Sequence, residues 1–179
     1  AANRGPFLES LNWAQVYRLP VLFVCEDNRI SATTPTGSMT AGEGVSARAR
    51  ALAIPSLKVD GNDVQAVDEA AARLIAEVRT GGGPRFLHAV TYRFKGHVSV
   101  DPGTYRNSEE VAAARLADPL LVATARLTAN GVSQAVIDQI DSEARAEIEH
   151  ALQVAEAAPW PQAGAAYEDV QSAGTAMWQ

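Results

Sequence analysis

A chain of 179 residues with 47% hydrophobic and 20% charged residues is long enough for one domain with a sizeable core. Its formal net charge of -6 argues against the basic surface that nucleic-acid binding demands. No apolar run approaches a membrane span, and the single cysteine, Cys25, excludes a disulfide within the chain, so a reducing cytosolic or organelle-matrix compartment fits.

The chain opens on Ala1-Ala2-Asn3-Arg4-Gly5, which reads as the middle of a loop in a longer sequence. Pro6 suits the first turn of a helix, and Phe7, Leu11 and Ala14 repeat at helical spacing, with a stop expected before Pro20. The run Val21 to Cys25 predicts a strand buried on both faces, with Cys25 a small core residue. Arg29 to Thr40 is rich in Ser, Thr, Pro and Gly and predicts a loop. Val45, Ala49 and Leu52 mark a second helix ended by Pro55, and Leu57 to Val59 a second strand. Asn62 and Gln65 have the spacing of a capping box before a third helix, whose apolar face includes Val67, Leu74 and Val78. Gly81-Gly82-Gly83-Pro84 breaks that helix, and Phe86 to Thr91 predicts a third strand. A polar loop over 92–106 follows, then Ala-rich helical segments near 108–116, 119–129 and 133–157. In the tail, Trp160 between Pro159 and Pro161 is expected to be an apolar anchor.

Alternating strands and helices predict an α/β fold: a parallel sheet with helices on both faces, followed by an α-helical C-terminal region. The expected division is an α/β part over 1–106, containing the loop 92–106, and a helical region with its tail over 107–179. In such sheets ligands bind beyond the carboxyl ends of the strands. Three polar clusters lie there: Glu26-Asp27-Asn28, then Asp60 to Asp63, then Arg93, Lys95, His97 and Asp101. The first offers oxygen ligands for a hard cation such as Mg2+, and the third offers cationic and imidazole donors for phosphate oxygens. Each also has a plain reading. Asp27-Asn28 suits a turn, Asp60 to Asp63 a turn with a helix cap, and His97 an ordinary loop position. His88 in a strand and His150 in a helix read as structural.

The run Arg18 to Asn28, the segment Val59 to Val64, and above all Thr91 to His97 with Asp101 to Arg106 resemble the α subunit of the E1 component of 2-oxoacid and acetoin dehydrogenases. The resemblance covers nearly the whole chain and weakens in the tail. It implies the thiamine-diphosphate-binding fold, with thiamine diphosphate and Mg2+ as cofactors. That family carries a Gly-Asp-Gly motif, absent here; Ala1 to Gly5 resembles what directly follows it. On this resemblance Asn28 is a side-chain ligand of Mg2+ and Ile30 a backbone-carbonyl ligand. Ala1 offers its N–H to the diphosphate. His97 contacts the diphosphate near the reacting centre and is the catalytic candidate, and Arg93 organises the same loop. Departures are Asp27 in place of a first Asn, Ile30 where an aromatic is common, Lys95 for a frequent histidine, and Val98 where animal relatives carry a phosphorylatable serine.

The reaction the resemblance implies is decarboxylation of a 2-oxoacid such as pyruvate or a branched-chain 2-oxoacid, or cleavage of acetoin, with transfer of the acyl unit to a lipoyl group. The implied partners are an E1 β subunit, in an α2β2 heterotetramer, and the lipoyl domain of the E2 acyltransferase. The β subunit supplies the glutamate that activates the cofactor, so this chain alone is expected to be inactive. A cytoplasmic, bacterial-type enzyme is expected, with the mitochondrial matrix as the other compartment that fits. Two other readings stand beside it: another Mg2+-dependent α/β enzyme acting on a phosphorylated substrate, and a non-catalytic assembly module.

Overall fold

A computed structural model describes residues 1–167. The chain divides into two compact units, Ala1–Asn130 and a second one from Gly131 onward.

The first unit is built on three parallel strands, β1 (Leu22–Asp27), β4 (Ser56–Asp60) and β5 (Arg85–Val90), in the order β1-β5-β4. Alternation along the central strand β5 points Phe86 and His88 to one face and Leu87 and Ala89 to the other. On the first face Phe86 packs with Leu11 of α1 (Gly5–Val16), with Val45 and Ala49 of α2 (Val45–Ala51), and with Ile54. Phe7 meets Phe86 edge-on at 6.1 Å between centroids. On the second face Leu87 packs with Ala70 and Leu74 of α3 (Val64–Arg79). Helices on both faces of a parallel sheet are as expected. Each fully buried Leu, Ile or Phe contributes roughly 1.5–3 kcal/mol of hydrophobic stabilisation.

One expectation fails in this core. β1 is not buried on both faces: Val24 is 57% exposed. Among the described residues β1 has a neighbouring strand on one side only, and α3 lies chiefly over β4 and β5. The strand buried on both faces is β5, whose central four residues are all buried.

Local chemistry sets the element ends. α1 stops at Tyr17 because Arg18 turns to a left-handed φ of 51°. The segment expected as a loop holds a small antiparallel hairpin, β2 (Ile30–Ser31) with β3 (Thr34–Pro35). The cap of α3 is Asp63, not Asn62: its carboxylate accepts the N–H groups of Gln65 and Ala66. The same carboxylate takes both guanidinium N–H groups of Arg126, at 2.5 and 2.6 Å, from α5 (Pro119–Ala129). Arg126 and the capping amides together lower the Asp63 pKa to about 2. α4 (Ser108–Leu116) begins at an Asn107 cap.

In the second unit α6 (Gln134–Ala157) is helical as expected, and the apolar residues repeating along it are exposed, Ile148 at 72% and Leu152 at 57%. Trp160 is 94% exposed, so it anchors nothing among the described residues; its two flanking prolines favour an extended segment. No helix among the described residues is long and apolar enough to cross a membrane.

Candidate functional site

The register brings the strand ends level. Val90 stands opposite both Asp27 and Asp60, so β1, β4 and β5 finish at one edge and their polar clusters converge there. Gly61 makes the close approach possible: a Cβ there would sit 2.6 Å from Thr91 Cγ2 and 2.9 Å from the Val90 carbonyl.

The chain leaving β1 turns through Asp27, Asn28, Arg29 and Ile30. Asp27 Oδ1 accepts the Arg29 N–H at 2.9 Å, and Asn28 Oδ1 accepts the Ile30 N–H at 3.0 Å. Arg29 is held at φ 60° and Ala32 at φ 52°, a conformation that costs a non-glycine residue about 1–2 kcal/mol. The turn is tied to the core twice: Thr91 donates its N–H to the Asp27 carbonyl at 3.0 Å, and Asp27 Oδ2 meets His88 Nε2 at 3.0 Å. Behind it, His88 Nδ1 lies 2.8 Å from Ser46 Oγ of α2. This serine–histidine–aspartate chain has the composition of a nucleophile relay. However, Ser46 is only 7% exposed and lines neither cleft described below, so it has no route to a substrate.

The loop after β5 builds its own frame. Asp101 accepts the His97 N–H at 2.6 Å, the Gly103 N–H at 2.8 Å and the Tyr105 hydroxyl at 3.0 Å. Those backbone amides are the main cause of its lowered pKa, with Tyr105 and the Arg93 charge adding to it. Gly96 allows this closure, since a Cβ there would lie 2.2 Å from the Asp101 carbonyl oxygen. Arg93 donates to the Ala32 carbonyl at 2.7 Å, to Tyr105 at 3.0 Å and to His97 Nδ1 at 3.2 Å. An arginine only donates, so His97 Nδ1 accepts and its proton rests on Nε2. Arg106 donates to the carbonyls of Arg93 and Lys95 and lies over the Tyr92 ring at 5.5 Å.

Turn and loop share a cleft of about 250 Å3, lined among others by Asn28, Ile30, Tyr92, Tyr105 and Arg106. A second cleft, about 540 Å3, shares Arg29 and Tyr92 with the first and reaches Lys58 and Asp60. The sequence-predicted residues therefore fall into three groups. Asn28 and Ile30 line one cleft. Arg93 and His97 touch each other and join that cleft through Tyr105. Ala1 is exposed and lines neither cleft.

Sequence reasoning missed His88, Gly96 and Arg106 as site-builders; it placed Asp101 in the third polar cluster but not as the hydrogen-bonded centre of the loop. The signal for His88 was available: it is a polar residue inside an otherwise apolar central strand, and a buried polar group needs partners. The loop contacts carried no such signal, because they join residues in a segment without periodicity.

The model of the family described as dehydrogenase E1 component matches residues 1–164. The chain belongs to that family. Similar proteins include the α subunit of acetoin:2,6-dichlorophenolindophenol oxidoreductase from Cupriavidus necator, 43% identical over 163 residues, covering 90% of this chain and 49% of that one. The pyruvate dehydrogenase E1 component subunit alpha of Rhizobium meliloti is 37% identical over 172 residues, covering 95% and 49%. The somatic mitochondrial form from Homo sapiens is 38% identical over 164 residues, covering 90% and 42%. This E1-family chain thus spans about half the length of the relatives it matches. Among solved structures, transketolase from Campylobacter jejuni aligns with a TM-score of 0.46 at 22% identity, over 65% of this chain and 19% of that one.

The donor set can be tested against a metal and a diphosphate. Among the described residues no three His, Cys, Asp or Glu side chains gather to hold a cation. What this E1-family chain offers instead is the Asn28 amide oxygen, which has a lone pair beyond its bond to Ile30, and the Ile30 carbonyl. Two protein oxygens completed by phosphate oxygens and water suit Mg2+. The Tyr92 hydroxyl and Arg106 Nε are buried without hydrogen-bond partners among the described residues, and both residues line the cleft. Unpaired donors there suit anionic oxygens.

Proposed function

We propose that this chain is the α-subunit portion of a thiamine-diphosphate-dependent E1 dehydrogenase. With an E1 β subunit, in an α2β2 assembly, it decarboxylates a 2-oxoacid such as pyruvate or a branched-chain 2-oxoacid, or cleaves acetoin. The acyl unit passes to a lipoyl group on the E2 acyltransferase. The observation that carries this reading is the convergence of Asn28 and Ile30 on one cleft, with the Arg93–His97 loop closing beside it. The names of the acetoin and pyruvate relatives support it. A cytoplasmic location follows from the bacterial-type reading.

Bound thiamine diphosphate supplies the electron sink for cleaving the bond next to the keto carbon. This chain's residues hold and orient. Asn28 and Ile30 would hold Mg2+ through neutral oxygens, so that the cation's charge would be left to offset diphosphate. Tyr92 and Arg106 offer N–H and O–H donors to anionic oxygens. His97, its Nδ1 occupied by Arg93, presents Nε2–H, which can donate a proton or a hydrogen bond near the reacting centre. Ala1, which lines neither cleft, would offer its backbone N–H to the diphosphate on the family resemblance alone.

The test is calorimetry of the full-length subunit assembled with its β partner, titrated with thiamine diphosphate at saturating Mg2+. Asn28→Ala is expected to weaken binding about 10–100-fold. Turnover with pyruvate, branched-chain 2-oxoacids and acetoin then assigns the substrate. Unchanged cofactor affinity in Asn28→Ala would remove the metal assignment. Turnover of a phosphorylated substrate without a partner chain would favour a different Mg2+ enzyme.

A further inference from the structure

Three residues from separate elements form a hydrogen-bonded line that ends under the candidate metal turn. Ser46 Oγ and His88 Nδ1 are 2.8 Å apart, and His88 Nε2 and Asp27 Oδ2 are 3.0 Å apart. Ser46 and His88 are each 7% exposed. Neither touches a cleft, and neither has a part in the chemistry proposed above. A polar pair at this depth in an apolar sheet-helix interface costs desolvation unless each group is satisfied, so the arrangement calls for an explanation.

The geometry supplies one. An ionised carboxylate only accepts, so His88 Nε2–H donates to Asp27. That fixes one carboxylate oxygen. The other, Oδ1, accepts the Arg29 N–H at 2.9 Å and helps hold Arg29 at its left-handed φ of 60°. Arg29 stands between Asn28 and Ile30, which line the same cleft, so its backbone angle sets how these two residues are disposed toward each other. Without Asp27 fixed, the strained residue between the two donors loses a restraint. The interaction of His88 also answers the charge that Asp27 brings to the metal's neighbourhood, by holding its carboxylate toward the sheet.

We infer that His88 is a positioning residue for cation binding: oriented by Ser46, it clamps Asp27 and thereby sets the 27–30 turn that presents Asn28 and Ile30. This rests on the reading of Asn28 and Ile30 as metal donors.

The experiment uses the full-length subunit with its partner and measures thiamine diphosphate affinity at fixed Mg2+, and Mg2+ affinity at fixed thiamine diphosphate. In His88→Asn the amide occupies the place of Nδ1, keeping a partner for Ser46 but falling short of Asp27. In His88→Gln the amide reaches the place of Nε2 and can still donate to Asp27. His88→Asn is expected to weaken Mg2+ affinity about tenfold, and His88→Gln to restore it to within a few-fold. Asp27→Ala is expected to match His88→Asn, and the double variant to be no worse than either alone, because all three break one link. Equal losses in the Asn and Gln variants, or multiplying losses in the double variant, would overturn the inference by showing that His88 acts through packing. Should His88→Asn fail to fold, Asp27→Ala against His88→Gln carries the same comparison. Asn28→Ala is the separate control. If it loses affinity while the His88 variants do not, the positioning role alone falls. If it too is unchanged, the metal site itself falls.

Discussion

The two segments that frame the cleft are held by opposite means. The turn over 27–32 is short, contains two non-glycine residues at positive φ, and is fastened to the buried sheet through His88 and Thr91. The loop over 92–106 is long and polar, and most of its ties are internal, centred on Asp101 and Arg106. A segment pinned to the core moves only if the core moves, whereas a self-stapled loop can open while the fold stands. The turn therefore suits the constant task of holding a metal. The loop suits a task with separate bound and released states.

Removing His97 is the largest expected break in this division. The side chain is exposed in the loop, so His97→Ala should leave the thermal unfolding midpoint unchanged. In the proposed reaction, turnover through to lipoyl acylation should fall about 10²–10⁴-fold, the usual range for a positioned proton donor. Full activity in the overall complex assay would return His97 to an ordinary loop residue. Gly96→Ala asks the same of the frame rather than the imidazole. Its Cβ would meet the Asp101 carbonyl at 2.2 Å, so the loop backbone must shift. A displacement near 1 Å at a catalytic group costs about 100-fold, and turnover should drop by that order with the sheet intact by circular dichroism. If Gly96→Ala kept wild-type rates, the Asp101-centred geometry would be irrelevant to catalysis.

Acid should separate the two segments more gently. Asp101 has its pKa lowered by the amides of His97 and Gly103, so its folded form is favoured when ionised. That contribution is fully present above the ordinary carboxylate value of 3.8 and is lost as pH falls through the lower folded value. Asp63, at about 2, behaves likewise for the contact between α3 and α5. Amide hydrogen exchange at His97 and Gly103 should therefore be insensitive to pH between about 7 and 5 after correction for intrinsic rates. Protection there should fall below about pH 3.8 before the β5 amides lose theirs. Simultaneous loss at the loop and at β5 would mean that the loop is not an independent unit.

How much of this could be read from the residues follows the same division. Periodicity and breakers gave the strands around residues 22–27, 56–60 and 85–90 and the α-helices of the first unit, because those signals are local, but not the short 3-10 turn Thr36–Ser38 inside the segment read as a loop. The edge exposure of Val24 was not legible, since it depends on strand order, which no run of residues encodes. The α3 cap was misplaced by one residue because Asn62 and Asp63 are both good caps, and only Asp63 also meets Arg126, 63 positions away. Asn28 was singled out by the strand-end rule and the family resemblance together and Ile30 by the resemblance alone; both line one cleft. The Ser46–His88–Asp27 line joins three elements distant in sequence, and only the polar residue inside β5 hinted at it.

The smallest expected effect is none at all, and it concerns the residue after His97. On the family resemblance, animal relatives carry a phosphorylatable serine there. Phosphate at that point would add about -1.5 to -2 charges beside a diphosphate and would compete for the loop's donors. Here the residue is Val98, 55% exposed and without a hydroxyl. Ser99 is next along the chain, also exposed, and Thr104 and Tyr105 lie further on. Tyr105 already gives its hydroxyl to Asp101 and accepts from Arg93, so it is committed to the frame. Incubation of the assembled enzyme with a family kinase and ATP should leave turnover unchanged, with no phosphate on the loop by mass spectrometry. Stoichiometric phosphate on Ser99 with a matching loss of activity would show that a charge switch survives one residue along. It would also show that the loop, unlike the turn, is open enough to be reached from outside.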